Sequence, residues 1–239
     1  MGFVDLHCHV LPGLDDGVKS VAESLEVVAM LGQLGFDVIC CTPHQKVGSW
    51  VPSSEDISKA HADVTAGLAK KGVAIELRLG AENFWDELFL QRCQEGGLPS
   101  YTGERAFLVE VAPAAPPPHL EEHFFRLRTR GQLPVLAHPE RYHGLCRHPE
   151  RMEAIGRSAA LVVDLGALDG AHGPRACESS QWLVKEGLAH ACASDSHSAD
   201  DARAAGRGIA WLRKKVGEAQ TRRLLEENPR QILQGELPD

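Results

Sequence analysis

Asp5-Leu6-His7-Cys8-His9 stands near the N-terminus, and further pockets of ligand-type side chains follow it at wide separations. They are Thr42-Pro43-His44, Gly80-Ala81-Glu82, Glu110, Ala137-His138-Pro139-Glu140-Arg141-Tyr142 and Ser194-Asp195-Ser196-His197. Imidazole and carboxylate groups without thiolates are the donors that divalent ions such as Mn²⁺, Fe²⁺ or Zn²⁺ take. Each cluster comes just after a short apolar run. Repeated delivery of such side chains to the ends of successive strands predicts one polynuclear metal site and metal-dependent hydrolysis. Along a strand, alternate residues share a face. Asp5, His7 and His9 are therefore expected to point one way, with Leu6 packed elsewhere and Asp5 receiving an imidazole N–H. Asp195 and His197 repeat the spacing, and Asp16 lies in the loop beyond the first strand.

The elements that must position these groups read as alternating strands and helices. Buried-strand patterns fall at Phe3–His7, Phe36–Cys41, Val73–Gly80, Ala106–Val111, Leu133–Ala137, Ala160–Leu165 and Ala189–Ala193. Between them, Val21, Leu25, Val28 and Leu31 make one apolar helix face, continued by Leu34. Ser20 with Glu23 supplies a capping box, and Gly35 a stop. Further helices are expected at Ser54–Lys71, Asp86–Glu95, His119–Arg130, Glu150–Arg157, Arg175–Glu186, Asp201–Val216 and Glu218–Asn228. The alternation predicts an α/β fold with parallel pairing, closed or nearly closed into a seven-stranded barrel. No linker or repeat divides the chain, so residues 1–239 are read as a single domain.

Composition narrows the partners. A formal charge of −8 argues against nucleic acid and anionic membrane. No apolar run approaches the roughly 20 residues of a membrane span, and no secretory signal is visible. Seven cysteines, scattered and without paired metal spacing, fit free thiols in a reducing cytoplasm. Cys8, between two histidines, is given a packing role.

The segments DLHCHVLPGLDDG, CTPH, GAE, LVEVA, AHPERY and ASDSH, in this order from residue 5 to residue 197, resemble the polymerase-and-histidinol-phosphatase (PHP) superfamily. The likeness is strongest to its capsule-type bacterial protein-tyrosine phosphatases. It implies a distorted (β/α)7 TIM-like barrel holding up to three divalent ions, manganese foremost, with iron or zinc as alternatives. Carried over residue by residue, His7, His9, Glu82 and Asp195 would hold one ion. Glu82 would bridge to a second completed by Glu110 and His138, and Asp16, His44 and His197 would hold a third. Asp15 rivals Asp16, since spacing does not separate adjacent carboxylates. Hydrolysis of phosphotyrosine by metal-bound hydroxide is then expected, with Arg141 forking onto the phosphate unless it serves a structural salt bridge with Glu140. His197 is a candidate general acid, a role its use as a ligand contests. The resemblance also implies a phosphoprotein substrate, such as a bacterial tyrosine kinase controlling polysaccharide export, and allows a homo-oligomer formed through the Ser20–Leu34 helix. Packing on the barrel is the simpler role for that helix.

Rival chemistries are weaker. A thiolate phosphatase needs C-x5-R, and no cysteine is followed by arginine at that spacing; Cys146 and Arg151 come nearest. A small-molecule phosphatase such as histidinol-phosphate phosphatase would share the ligand set, and a metal-stabilised scaffold barrel is the nonenzymatic alternative. The Gln45–Ser53 segment, with Lys46 and Trp50, is expected to border the site, either contacting a phosphotyrosine ring or flanking peptide or standing as a solvated loop. Tyr142 is expected either at its mouth or packed beside Arg141. His61, His119, His123, His143, His148, His172 and His190 read as surface or packing histidines.

Overall fold

Among the described residues, nine short parallel strands carry the chain through a barrel: β1 Phe3–Cys8, β2 Phe36–Cys41, β3 His44–Gln45, β4 Glu76–Leu79, β5 Glu82–Phe84, β6 Ala106–Glu110, β7 Leu133–Ala137, β8 Ala160–Asp164 and β9 Ala191–Ala193. The structure is a computed structural model that describes residues 1–101 and 105–239. The strands form two ladders, β1-β2-β4 and β3-β5-β6-β7-β8-β9.

The ladders are one wall interrupted by sequence. Pro43 has no N–H to pair, and Gly80 follows the last residue of β4. Across the break the pairing continues: Gly80 N–H donates to Cys41 O at 2.9 Å and Glu82 N–H to Pro43 O at 3.1 Å, before His44 pairs with Glu82. Thus β3 extends β2, and β5 extends β4. Closure comes from the other side, where Asp195 N–H donates to His7 O at 2.9 Å and His9 N–H to Ser196 O at 3.0 Å. The expected α/β TIM-like barrel is present. Two of its strands are broken, and β4 begins at Glu76 rather than Val73.

Alternation fills the interior. Val4 and Leu6, Val38 and Cys40, Ala106 and Leu108, Val135 and Ala137, Ala160 and Val162, and Ala191 and Ala193 form an inner cluster. The many alanines suit the narrow bore. Intervening residues such as Ile39, Phe107, Leu136 and Leu161 pack outward in a second cluster with the helices. These helices are α1 Val21–Leu34, α2 Ser54–Lys70, α3 Glu87–Glu95, α4 Leu120–Thr129, α5 His143–Cys146, α6 Pro149–Gly156, α7 Leu165–Leu168, α8 Pro174–Lys185, α9 Ala199–Lys215, α10 Gly217–Arg222 and α11 Asn228–Leu233. Ile232 and Leu233 of α11 join the inner cluster.

Helix α1 shows how local signals were read. Ser20 Oγ accepts from Glu23 N–H, and Gly35 ends the helix at φ 107°. Glu23 reaches back to Lys19 N–H at 2.8 Å, one residue before the cap. Its buried face, including Leu25, Val28 and Leu31, lies in the outer cluster, so packing on the barrel accounts for it. The helix expected at Glu218–Asn228 is instead α10, a π-type turn over Arg223–Glu227, and α11.

Candidate metal centre

Backbone geometry at the strand ends aims the candidate ligands inward. Among the described residues, three that are not glycine have positive φ, and two of them are His138 (36°) and Asp195 (46°). His138 follows β7 directly, and Asp195 comes two residues after the end of β9. The left-handed region costs such residues roughly 1–2 kcal/mol, a strain that tertiary contacts must hold. In β1 the expected simple alternation fails, because its register against β2 shifts between Asp5 and Cys8. Val4 and Leu6 share the inner cluster, but Cys8, next on that face, packs in the outer one, while His7 and His9 converge on the mouth.

His7 Nε2 and His9 Nε2 lie 3.0 Å apart. Glu82 Oε2 is 3.3 Å from the first and 3.4 Å from the second, and Asp195 Oδ1 is 3.3 and 3.5 Å from them. Donors about 2.1 Å from one tetrahedral ion sit about 3.4 Å apart, so these spacings suit a shared cation. Glu82 Oε1 faces His138 Nε2 at 2.9 Å, and Glu82 Oε2 lies 2.9 Å from His44 Nδ1. Asp16 Oδ1 is 3.3 Å from His44 Nε2 and 3.5 Å from His197 Nε2. Four groups of potential ligands result: His9, Asp16, His44 and His197; His7, His9 and Asp195; His7, Glu82 and His138; His44, Glu82 and Glu110. Together they contain all nine side chains singled out from the sequence. Glu110 is grouped with His44 and Glu82 rather than with His138.

Electrostatics also suit cations. Burial and the neighbouring charge of Glu82 push the Glu110 carboxyl up to about 7, and its Oε2 is buried without a hydrogen-bond partner. Burial opposes charge on His7 and His9, yet Glu82 and Asp195 draw His7 above the ordinary imidazole range, and Asp15, ahead of Asp195 and Glu82, draws His9 well above it. An excess of buried carboxylate attracts protons where metal ions would displace them.

Asp15 and Asp16 separate cleanly. Asp15 is buried and turned away from the mouth: its Oδ2 lies 2.8 Å from His9 Nδ1 and accepts from His44 N–H at 3.1 Å, while Oδ1 accepts from Gly17 N–H at 2.9 Å. It orients a ligand-type imidazole. Asp16, with its side chain 46% exposed, is the carboxylate that meets His44 and His197. The orienting role expected of Asp5 thus falls to Asp15. Asp5 accepts instead from Ser194 N–H at 2.9 Å and His7 N–H at 3.3 Å, tying β1 to the segment after β9. Burial pushes its carboxyl up to about 6.

Arg141 lies in the short 3-10 turn after β7. Its Nη2 donates to Asp195 Oδ2 at 2.6 Å and Asp164 Oδ2 at 2.8 Å, so a salt bridge with Glu140 is not its anchor. Glu140 is fully buried and accepts from Asp164 N–H at 3.3 Å. His172, read as a surface or packing residue, brings Nε2 to 2.5 Å from Asp164 Oδ2 and 3.3 Å from Arg141 Nη2. Asp164 was missed altogether, although it is the last residue of β8, the position where β6 carries Glu110. Tyr142 is not at the mouth but packed in the outer cluster. Fully buried, its hydroxyl accepts from Val111 N–H at 3.2 Å and sits 3.4 Å from His138 Nδ1. Cys8 is buried with its thiol pKa pushed up by burial, as a packing residue should be. His197 stacks on His9, ring centroids 4.0 Å apart, and burial lowers its pKa.

A parallel α/β barrel with a candidate metal centre at the C-terminal mouth of its strands defines the class. Within it, the chain belongs to the family described as capsular polysaccharide synthesis, CpsB/CapC, whose model matches residues 3–234. It is 29% identical over 197 residues to the tyrosine-protein phosphatase YwqE of Bacillus subtilis, covering 82% of this chain and 77% of that protein. A crystal structure from work on YwqE of Bacillus subtilis and CpsB of Streptococcus pneumoniae, described as metal-dependent tyrosine phosphatases, superposes with a TM-score of 0.87 at 27% identity, covering 98% and 95% of the two chains. An amidohydrolase from Mycoplasma synoviae, 12% identical, shares the fold at a TM-score of 0.62 over 97% of this chain and 87% of that one.

Proposed function

We propose that residues 1–239 act as one metal-dependent protein-tyrosine phosphatase domain, and that the nine converging side chains hold up to three divalent ions, manganese foremost. The observation that carries this reading is the cage of His7, His9, Glu82 and Asp195, with donor separations of 3.0–3.5 Å. The relatives' names and the match to metal-dependent tyrosine phosphatases support it. His7, His9, Glu82 and Asp195 would hold one ion; Glu82, His138 and Glu110 a second; Asp16, His44 and His197 a third. Such ions supply Lewis acidity toward phosphoryl oxygens and lower the pKa of water toward ~7.

The chain's own residues supply the rest. Arg141 fixes one oxygen of Asp195 while the other faces the histidine pair. Its side chain is 28% exposed, which leaves the guanidinium at the edge of the mouth where it can neutralise an incoming phosphate. Asp164 and His172 hold Arg141 in that position. His197, with Nδ1 2.9 Å from Asp195 O, sits at the rim where a proton could reach a leaving oxygen. A phenolic leaving group of pKa near 10 asks little of it.

The protein substrate fitting the family is a phosphotyrosine-bearing kinase of a polysaccharide export system. A cytoplasmic setting agrees with seven free cysteines. Turnover of a phosphotyrosine peptide, histidinol phosphate and a phosphoserine peptide, with and without chelator, tests the reading. Chelator-sensitive preference for the phosphotyrosine peptide is expected. Faster turnover of histidinol phosphate would move the chain to small-molecule hydrolysis, and chelator-resistant activity would overturn the metal assignment.

A further inference from the structure

The tight loop after β3 gives the candidate centre an apolar wall that phosphate chemistry alone does not need. Trp50 lies over His44, ring centroids 5.2 Å apart and planes 19° from parallel. The loop folds back on itself: Lys46 N–H donates to Trp50 O at 2.6 Å, and Ser49 and Trp50 N–H donate to Lys46 O at 3.1 and 3.0 Å. Gly48, at φ 81°, allows the reversal. Polar contacts pin its base. Val47 N–H donates to Asp86 Oδ2 at 2.9 Å, Gln45 Nε2 to Pro52 O at 3.3 Å, and Arg92 Nη1 to Gln45 Oε1 at 2.9 Å. Lys46 Nζ sits 4.1 Å from the centre of the Phe84 ring.

Val47 and Val51 lie in the same loop as Trp50 and are 44% and 48% exposed. Among the described residues the other exposed large hydrophobics are Met1, Leu90 and Phe125. Isolated exposed valines need no explanation, but these two belong to the short loop whose indole stacks on a candidate ligand. A phosphate seated among Asp16, His44, His197 and Arg141 leaves its ester group outside the polar cluster, alongside whatever borders His44. A phenyl ring there removes apolar surface on both sides from water and meets an aromatic face. The short aliphatic link of a serine or threonine phosphoester leaves the indole wet.

Resting on the phosphatase reading, the geometry points to Trp50, with Val47 and Val51 of the same loop, as the specificity-determining residue that binds the aromatic ring of an aryl phosphomonoester. Such a contact is worth about a tenfold preference. The test measures calorimetric binding of phenylphosphonate and methylphosphonate to the manganese-loaded full chain, with metal content read on each sample. The proteins are the unsubstituted chain, Trp50→Ala, Trp50→Phe and Val51→Asn. The unsubstituted chain should prefer the phenyl ligand. Trp50→Ala should cut that preference about tenfold, Trp50→Phe should restore most of it, and Val51→Asn should lower it two- to threefold, all as order-of-magnitude expectations. Equal weakening of both ligands, or loss of metal with the preference intact, would assign Trp50 to supporting His44 and overturn the proposal. Methylphosphonate binding without phenyl preference in the unsubstituted chain overturns it while sparing the phosphatase reading. Binding of neither ligand overturns both.

Discussion

Replacing Asp15 and Asp16 one at a time separates a carboxylate that orients a ligand from one that serves as a ligand. Asp15 accepts from three buried donors: His9 Nδ1–H, His44 N–H and Gly17 N–H. Burial favours its neutral form, but the bond from His9 prevails and pulls the carboxyl down to about 2, so it is ionised at any ordinary assay pH. Asparagine keeps one acceptor oxygen and turns an NH2 group toward a donor. At least one of the three is then unsatisfied, at about 1–3 kcal/mol. The His9 ring also loses the partner that sets its orientation, an effect that typically costs 10–100-fold in metal affinity. Asp16, with a half-exposed side chain and no backbone donor to it among the described residues, should behave oppositely. Asp16→Asn should leave metal-free stability within about 0.5 kcal/mol yet lower metal stoichiometry. Thermal denaturation in chelator measures the first quantity; chelator-competed metal titration measures the second. If Asp16→Asn destabilises the metal-free protein while Asp15→Asn does not, or if Asp15→Asn binds metal as tightly as the parent, the division of labour is wrong.

Four further outcomes follow from the same coordinates. Glu82→Ala strips the carboxylate shared by His7, His44 and His138, and phosphatase turnover should fall at least about 100-fold with the circular dichroism spectrum retained; near-parental turnover would displace Glu82 from the centre. Arg141→Lys keeps the charge but not the fork, so inhibition by inorganic phosphate should weaken about tenfold with metal content unchanged, as inhibition assays and elemental analysis would read. Chelator should abolish activity while iodoacetamide spares it at pH 7.5, because burial holds the Cys93 and Cys146 thiols up at about 11 and the thiolate is the reactive form; the reverse pattern would revive thiol catalysis. Burial depresses the His190 imidazole to about 4, where its Nδ1 accepts from Leu161 N–H at 3.0 Å. The unfolded chain therefore binds the extra proton between about 6.5 and 4, and this residue should remove up to about 3 kcal/mol of stability as pH falls across that window. Urea denaturation of His190→Asn against pH should show a flatter slope.

What could be read before folding was what repeats. Six-residue strands such as Phe36–Cys41 and helices with a cap, an apolar face and a stop, such as Val21–Leu34, carry enough periodicity to be placed nearly to the residue. His44–Gln45 and Glu82–Phe84 do not. Two or three residues hold no period, and their pairing exists only because Pro43 and Gly80 interrupt longer strands already in register. The candidate ligands were legible for a related reason. All but Asp16, which lies in the loop after β1, sit at or close to a strand end, and strand ends are visible as the limits of apolar runs.

The layer behind them was harder to see, because its members are partners of partners. The sequence points to Asp5 as the partner of an imidazole and offers Asp15 only as a rival to Asp16. Past Asp5 the register of β1 shifts; Asp5 accepts from Ser194 N–H, and His9 is met by Asp15 from the following loop. His172 carries no local signal at all, since it acts through Asp164, which β8 delivers to Arg141. Yet Asp164 ends a strand as Glu110 does, so the rule that found the ligands, applied without exception to β8, would have found it too. What then separates Asp164 from the candidate ligands is charge placement. It faces a guanidinium that Asp195 also binds, and one cation shared by two carboxylates draws the mouth's edge to a fixed position. A barrel that must gather several like-charged carboxylates needs such a counterweight beside them, and Arg141 provides it from the turn that follows His138.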